Sequence, residues 1–246
     1  MPAGVAILLF LQFNSSLVRP KYLKRPHAAY HRELSRIVWF LRSAKRVRTR
    51  LPIHIVVGPE RNLKEEARLV ALGAHITPGV TVRPPHWASS HHRLSFGKVG
   101  ALALTQFQKV FIFDNDMALA HNVDELAFAP TPSAVWHTAV GPFQIMAKET
   151  CAVTTGLMGL EPSAEEFARA VSILDHGKLK PYDGGDQQFW RTFYTWHELP
   201  VRYQAHQALR MPVSDWLQVK VLHSISGLRN RNLMPKVLRP LINYYY

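Results

Sequence analysis

Only one cysteine, Cys151, occurs in 246 residues, which excludes an intrachain disulfide and any cysteine-rich zinc site. Acids are scarce too: seventeen Asp and Glu stand against thirty Lys and Arg, a formal charge of +13. That balance selects an anionic partner, whether a phosphorylated nucleotide, an acidic glycan, a nucleic acid or a membrane surface. No apolar run approaches the roughly 20 residues that a bilayer span requires. The early run Val5–Leu11 has no basic segment before it and reads as a buried strand rather than a leader. Repeats, low-complexity tracts and long linkers are absent, and no zinc finger, aromatic RNA-binding signature or basic heptad pattern turns the charge toward nucleic acid. With 47% apolar residues the chain has a core of ordinary size, so folding rests on that core.

Strand and helix signals alternate from the start. After Val5–Leu11, a Pro-marked basic stretch reads as a loop. Leu34, Ile37, Val38 and Leu41 then repeat at helical spacing, with Arg32, Arg36 and Arg42 on other faces and the basic run Lys45-Arg46-Val47-Arg48 at the end. Cations there suit a helix C-terminus, and a solvated face is a better reading than a nucleic-acid patch. Ile53–Val57 is a second strand closed by Gly58-Pro59, residues 63–72 form a helix stopped by Gly73, and a short strand is expected around Val80-Thr81-Val82. The histidine-rich loop from Pro84 to Arg93 has irregular spacing and reads as solvated. Later strands are expected at Ala134-Val135-Trp136 and Leu157–Leu160. A helix with a Ser163/Glu166 capping box follows, with Gly177 as its stop.

Three stretches carry chemistry. In the first, the buried strand Lys109–Phe113 runs into Asp114-Asn115-Asp116. On an extended backbone Asp114 and Asp116 point to one side, and two hard oxygen donors at the carboxyl end of a strand suit Mn, with Mg also admissible. The second is Asp183-Gly184-Gly185-Asp186-Gln187, where two glycines let the backbone approach a ligand and Asp186 opens a helix; an ordinary turn feeding a helix has the same pattern. The third is a β-rich run from Val219 to His223, followed by Ser226-Gly227 and Arg229.

In order, Phe96-Gly97-Lys98, the segment Gly100–Gln108 with Leu104-Thr105-Gln106-Phe107, the strand, the acidic pair and Asn122-Val123-Asp124-Glu125-Leu126 resemble glycosyltransferase family eight, the glycogenin-like nucleotide-sugar transferases. Asp-Gly-Gly-Asp-Gln and the late histidine stand where those enzymes have theirs. The resemblance implies an α/β GT-A-type nucleotide-diphospho-sugar transferase fold, a Rossmann-like mixed sheet flanked by helices. It implies one catalytic domain over 1–246, with a nucleotide-binding part about 1–126 and an acceptor-side part about 127–246. The implied activity is metal-dependent, retaining transfer of a hexosyl group from a UDP-sugar. Asp114, Asp116 and His223 would hold the metal. Lys98, Asn115, Thr154, Thr155, Gly156, Gly227 and Arg229 would join the two acids around the donor, and Asp183, Asp186 and Gln187 would form the catalytic group at its sugar.

The chain also departs from the family pattern. Val153-Thr154-Thr155-Gly156 replaces Phe-Asn-Ser-Gly, Arg229-Asn230-Arg231 replaces Lys-Pro-Trp, and the opening Thr-Asn-Asp-x-Tyr pattern is not recognisable near Phe13-Asn14-Ser15-Ser16. Two alternatives stand beside the transferase: a nucleotide-sugar- or acidic-polymer-binding protein with impaired turnover, and a phosphatase of the haloacid dehalogenase type, which Met117-Ala118-Leu119 fits poorly. Donor sugar, acceptor, oligomeric state and compartment, cytosol or Golgi lumen, stay open at this point; no nucleic-acid partner and no transmembrane segment are expected.

Overall fold

The computed structural model describes residues 2–12, 26–89, 92–138, 151–176, 184–224 and 233–241. Strand β1 (Val5–Leu11) is buried almost throughout, which is why it reads as an unbroken apolar run rather than an alternating one. Its odd residues Ile7 and Leu9 enter one core layer, and its even residues Ala6 and Leu8 enter the other. It pairs in parallel with β2 (Ile53–Val57) on one side and β4 (Lys109–Phe113) on the other. The edge beyond β2 is β3 (His75–Pro78). Past β4 the direction reverses, because β7 (Cys151–Leu160) is antiparallel both to β4 and to β6 (Ser133–Thr138), which carries β8 (His197–Leu199) at the far edge. The seven-stranded order is therefore β3-β2-β1-β4-β7-β6-β8.

Helix α1 (Pro26–Arg46) covers one face with Leu34, Ile37, Phe40 and Leu41. Phe40 meets Phe113 edge to face at 5.3 Å, a contact that adds about 0.5–1.5 kcal/mol to the burial of both rings. This contact fixes the last residue of β4, directly before the acidic pair. Helix α2 (Leu63–Ala71) starts where the Asn62 side chain accepts the Glu65 amide at 3.2 Å. The other face of the sheet is closed by a 3₁₀ segment (Arg93–Ala103), α3 (Ala164–His176) and α4 (Asp186–Phe193), with Phe96, Phe189 and Trp190 fully buried. Ser163 Oγ accepts the Glu166 amide at 3.3 Å, as the capping pattern predicts, while the expected stop Gly177 lies outside the described residues. A second sheet, β5-β10-β9 (Met117–Leu119, Val221–His223 and Ala205–His206), packs with α5 (Val213–Trp216) around the buried Trp216.

One local expectation is corrected. The short strand falls at His75–Pro78 rather than at Val80-Thr81-Val82, because the ladder with β2 ends where the Gly79 amide turns back onto the Val57 carbonyl at 2.9 Å. Val80 is left to line a surface cleft. The segment leading into β4 is 3₁₀ over Arg93–Ala103. At Gly97 an added Cβ would fall 1.9 Å from Gln12 Oε1, so a larger residue there requires the Gln12 side chain to move.

Candidate active site

The parallel strands bring their carboxyl ends to one side of the sheet, and the chain reverses at that side. Beyond Phe113 the residues Asp114–Met117 close a turn, with the Met117 amide donating to the Asp114 carbonyl at 3.1 Å. The two acids therefore converge through a turn rather than through an extended backbone. Asn115, between them, faces the other way: its Nδ2 donates to the Phe10 carbonyl at 2.8 Å and to Glu33 Oε2 at 3.2 Å.

Register brings in the remaining groups. In the β4–β7 pairing Phe113 lies opposite Leu157, so Gly156 is beside Asp114 and its carbonyl accepts the Asp114 amide at 2.8 Å. In the β5–β10 pairing Met117 lies opposite His223, which sets the imidazole beside Asp116. Its Nε2 is 3.2 Å from Asp116 Oδ1 and 3.8 Å from Asp114 Oδ2. One ligand atom each from Asp114, Asp116 and His223 lie within 4.8 Å of one another. Two carboxylates and an imidazole form a donor set that Mn and Mg accept, with ample room in their coordination spheres for phosphate oxygens and water.

Lys98 is the fixed cation of the site. Its ammonium is 2.5 Å from Asp114 Oδ1 and 3.9 Å from Asp186 Oδ2, and it donates to the Thr155 carbonyl at 2.9 Å. Burial alone would lower its pKa, but Asp114 and Asp186 reverse that and keep it charged. Burial raises the Asp186 pKa above the ordinary carboxylate value, with Lys98 pulling against it. Asp116 goes the other way: burial raises it, but His223 and Arg36 outweigh burial and hold it low. His223 is correspondingly raised, its burial overcome by the two acids.

Of the other residues named from sequence, Thr154 is buried and donates its hydroxyl to the Val135 carbonyl at 3.2 Å, so that side chain is spent inside the sheet. Thr155 is also buried, and Gln187 is half-buried in the first turn of α4. Gly184 has φ +69, and its carbonyl accepts the Ser89 amide at 3.0 Å, where a Cβ would clash. Asp183, Gly227 and Arg229 lie outside the described residues.

Sequence reasoning missed two supports. Arg36, read as lying on another face of α1 than the apolar residues, has a side chain only 12% exposed, and its Nη2 lies 4.0 Å from Asp116 Oδ2. The Glu33/Arg36 spacing of three residues was the available signal. Gln204 had none: its amide spans the Leu157 N–H, accepted at 2.8 Å, and His223 Nδ1 at 3.3 Å. Gly156 is glycine because a Cβ there would reach within 2.7 Å of that amide. Gln204→Ala is expected to weaken metal binding about 10- to 100-fold by freeing the imidazole, and to cost roughly 1–3 kcal/mol for the buried Leu157 amide it abandons. Metal titration and urea unfolding of the variant check the two halves separately.

A cleft opens at the carboxyl end of the parallel strands, lined by Gln12 after β1, Gly58 after β2, Gly79 and Val80 after β3, and Gly97, which precedes Lys98. No helix among the described residues is long and apolar enough to cross a membrane.

No protein-family model matches the chain. UDP-glucuronate:xylan alpha-glucuronosyltransferase 2 of Arabidopsis thaliana is 26% identical over 136 residues, 54% of this chain and 21% of that protein. A provisionally named glucuronosyltransferase of the same plant and kind, numbered 3, is 28% identical over 134 residues, 54% of this chain and 20% of its own length. The chain thus spans about a fifth of the curated relatives it matches. Among solved structures, the glycosyltransferase GlyE of Streptococcus pneumoniae TIGR4 superposes with TM-score 0.60 and 14% identity, covering 98% of this chain and 60% of that one. The galactosyltransferase LgtC, in complex with donor and acceptor sugar analogs, gives TM-score 0.51 and 11% identity over 97% of this chain and 95% of its own. The fold is of the GT-A type, and the resemblance to the family-eight transferases holds.

Proposed function

We propose that the chain is the catalytic domain of a metal-dependent, retaining glycosyltransferase that takes a hexosyl group from a UDP-sugar. The observation that carries the reading is the convergence of Asp114, Asp116 and His223 beside the buried Lys98, at the carboxyl end of β4 in a fold shared with glycosyltransferases. Residues about 1–126 would serve the nucleotide, and residues about 127–246 the acceptor.

Asp114, Asp116 and His223 would hold Mn or Mg, which when bound supplies positive charge against the diphosphate leaving group. Lys98 supplies a second positive charge that is already oriented, so little reorganisation is needed as negative charge grows on the leaving group. Asp186, buried behind Lys98, would face the sugar together with Gln187 and with Asp183, whose part rests on the sequence resemblance. Gly227 and Arg229 are assigned to the phosphates on the same ground, Arg229 as a guanidinium suited to phosphate oxygens. Thr155 acts through its backbone carbonyl, which accepts Lys98 Nζ, while the Thr154 hydroxyl is bonded to the Val135 carbonyl inside the sheet. UDP-glucuronate is the first donor to test, because the relatives are named for it and the chain's charge of +13 favours an anionic donor.

UDP release should be followed with UDP-glucuronate, UDP-glucose, UDP-galactose and UDP-N-acetylglucosamine, in Mn and in EDTA. The expected result is slow hydrolysis of one donor, with water as acceptor, that stops in EDTA. Binding of UDP-sugars without hydrolysis or transfer would replace this reading with that of a nucleotide-sugar-binding protein.

A further inference from the structure

The acidic pair is held from behind by α1, and each carboxylate has a cation of its own. Asp114 has Lys98 at 2.5 Å, and Asp116 has Arg36 at 4.0 Å. Arg36 is in turn held by Glu33, whose Oε1 accepts Nη1 at 2.7 Å, while Glu33 Oε2 accepts from Asn115, the residue between the two acids. These three side chains join the turn to the first half of α1, and the Arg36 and Asp116 side chains are only 12% and 18% exposed. Charges this close and this poorly solvated interact much more strongly than they would in water.

We propose that Arg36 and Glu33 set the metal affinity of this site, Arg36 opposing a divalent ion at Asp116 and Glu33 moderating that opposition, so that the ion binds tightly only together with a diphosphate. The proposal rests on the metal-dependent reading above. A divalent ion approaching the free protein meets two carboxylates that already face resident cations. A diphosphate brings negative charge that offsets both cations, so the metal and the nucleotide each raise the affinity for the other by the same factor. Coupling of this kind keeps the site from retaining a metal ion without its substrate. Arg36 is a positioning residue here: it acts on Asp116 and on no reacting atom.

The test is Mn binding to the whole protein, followed by electron paramagnetic resonance of the free ion, with and without UDP. Arg36→Met should tighten Mn binding in the absence of UDP on the order of five- to tenfold and reduce the gain from UDP by a similar factor. Glu33→Gln, which keeps an acceptor for Asn115 and releases the charge of Arg36, should loosen Mn binding a few-fold. The double variant should resemble Arg36→Met, and Arg36→Lys should stay within about twofold of wild type. Should Arg36→Met fail to fold, Arg36→Gln takes its place.

A support that only props up the turn would loosen Mn binding in both single variants. Movement of the two in the same direction, or no movement in either, overturns the proposal. No Mn binding by the wild type, with or without UDP, instead removes the metal site itself and is distinguishable from that outcome.

Discussion

Asp116→Ala is expected to abolish the metal-dependent part of UDP binding: calorimetric titration of UDP in Mn should fall to the level seen in EDTA, a loss of at least about 100-fold. The size follows from what the carboxylate does. It is one of two anionic ligands, it receives His223 at 3.2 Å, and the Ser224 amide donates to its backbone carbonyl at 3.0 Å, so its place is fixed before any ligand arrives. Removing it takes away one ligand and leaves a second, the imidazole, without its nearest acid. His223→Ala should cost less, on the order of tenfold, because a neutral donor is lost and both charges stay. UDP binding that is equal in Mn and EDTA for the wild type, or unchanged in Asp116→Ala, would remove the metal from the proposed function.

Lys98 came only from the family resemblance, while the acidic pair and the late histidine were legible in the sequence for a physical reason. Each terminates or borders a short buried run, and a charge at the end of an apolar strand is visible without any knowledge of pairing. What brings them together was not legible. His223 reaches Asp116 because β10 runs antiparallel to β5, and Gly156 reaches Asp114 because β7 runs antiparallel to β4. Both are registers between segments far apart in the chain. The helical period of α1 was read correctly from Leu34, Ile37 and Leu41, yet the period assigns Arg36 only to a different side of the helix. That side faces the Asp114–Met117 turn, and within the helix the Glu33/Arg36 spacing signals an ion pair but not what the pair faces. The 3₁₀ form of residues 93–103 is another feature that no period in the sequence recorded.

Lys98→Met is expected to stop turnover, with a loss of at least about 100-fold in kcat, and also to cost about 3 kcal/mol of stability at pH 8. The stability cost has a characteristic pH dependence. In the wild type the buried ammonium offsets Asp114 and Asp186 together. Without it both acids are left in a poorly solvated site, and Asp186, which burial already raises, has lost its principal counter-charge. A carboxyl whose folded pKa lies above its unfolded value destabilises the fold once pH rises through that range, and the penalty is complete above the folded pKa. The variant should therefore approach wild-type stability as the pH is lowered and Asp186 takes up a proton, and fall away as the pH is raised. Urea unfolding in EDTA at pH 5 and pH 8 separates this from a packing defect, since a lost methylene contact would cost the same at both. A loss that is independent of pH would assign the stability role of Lys98 to its hydrocarbon stem and its bond to the Thr155 carbonyl rather than to its charge.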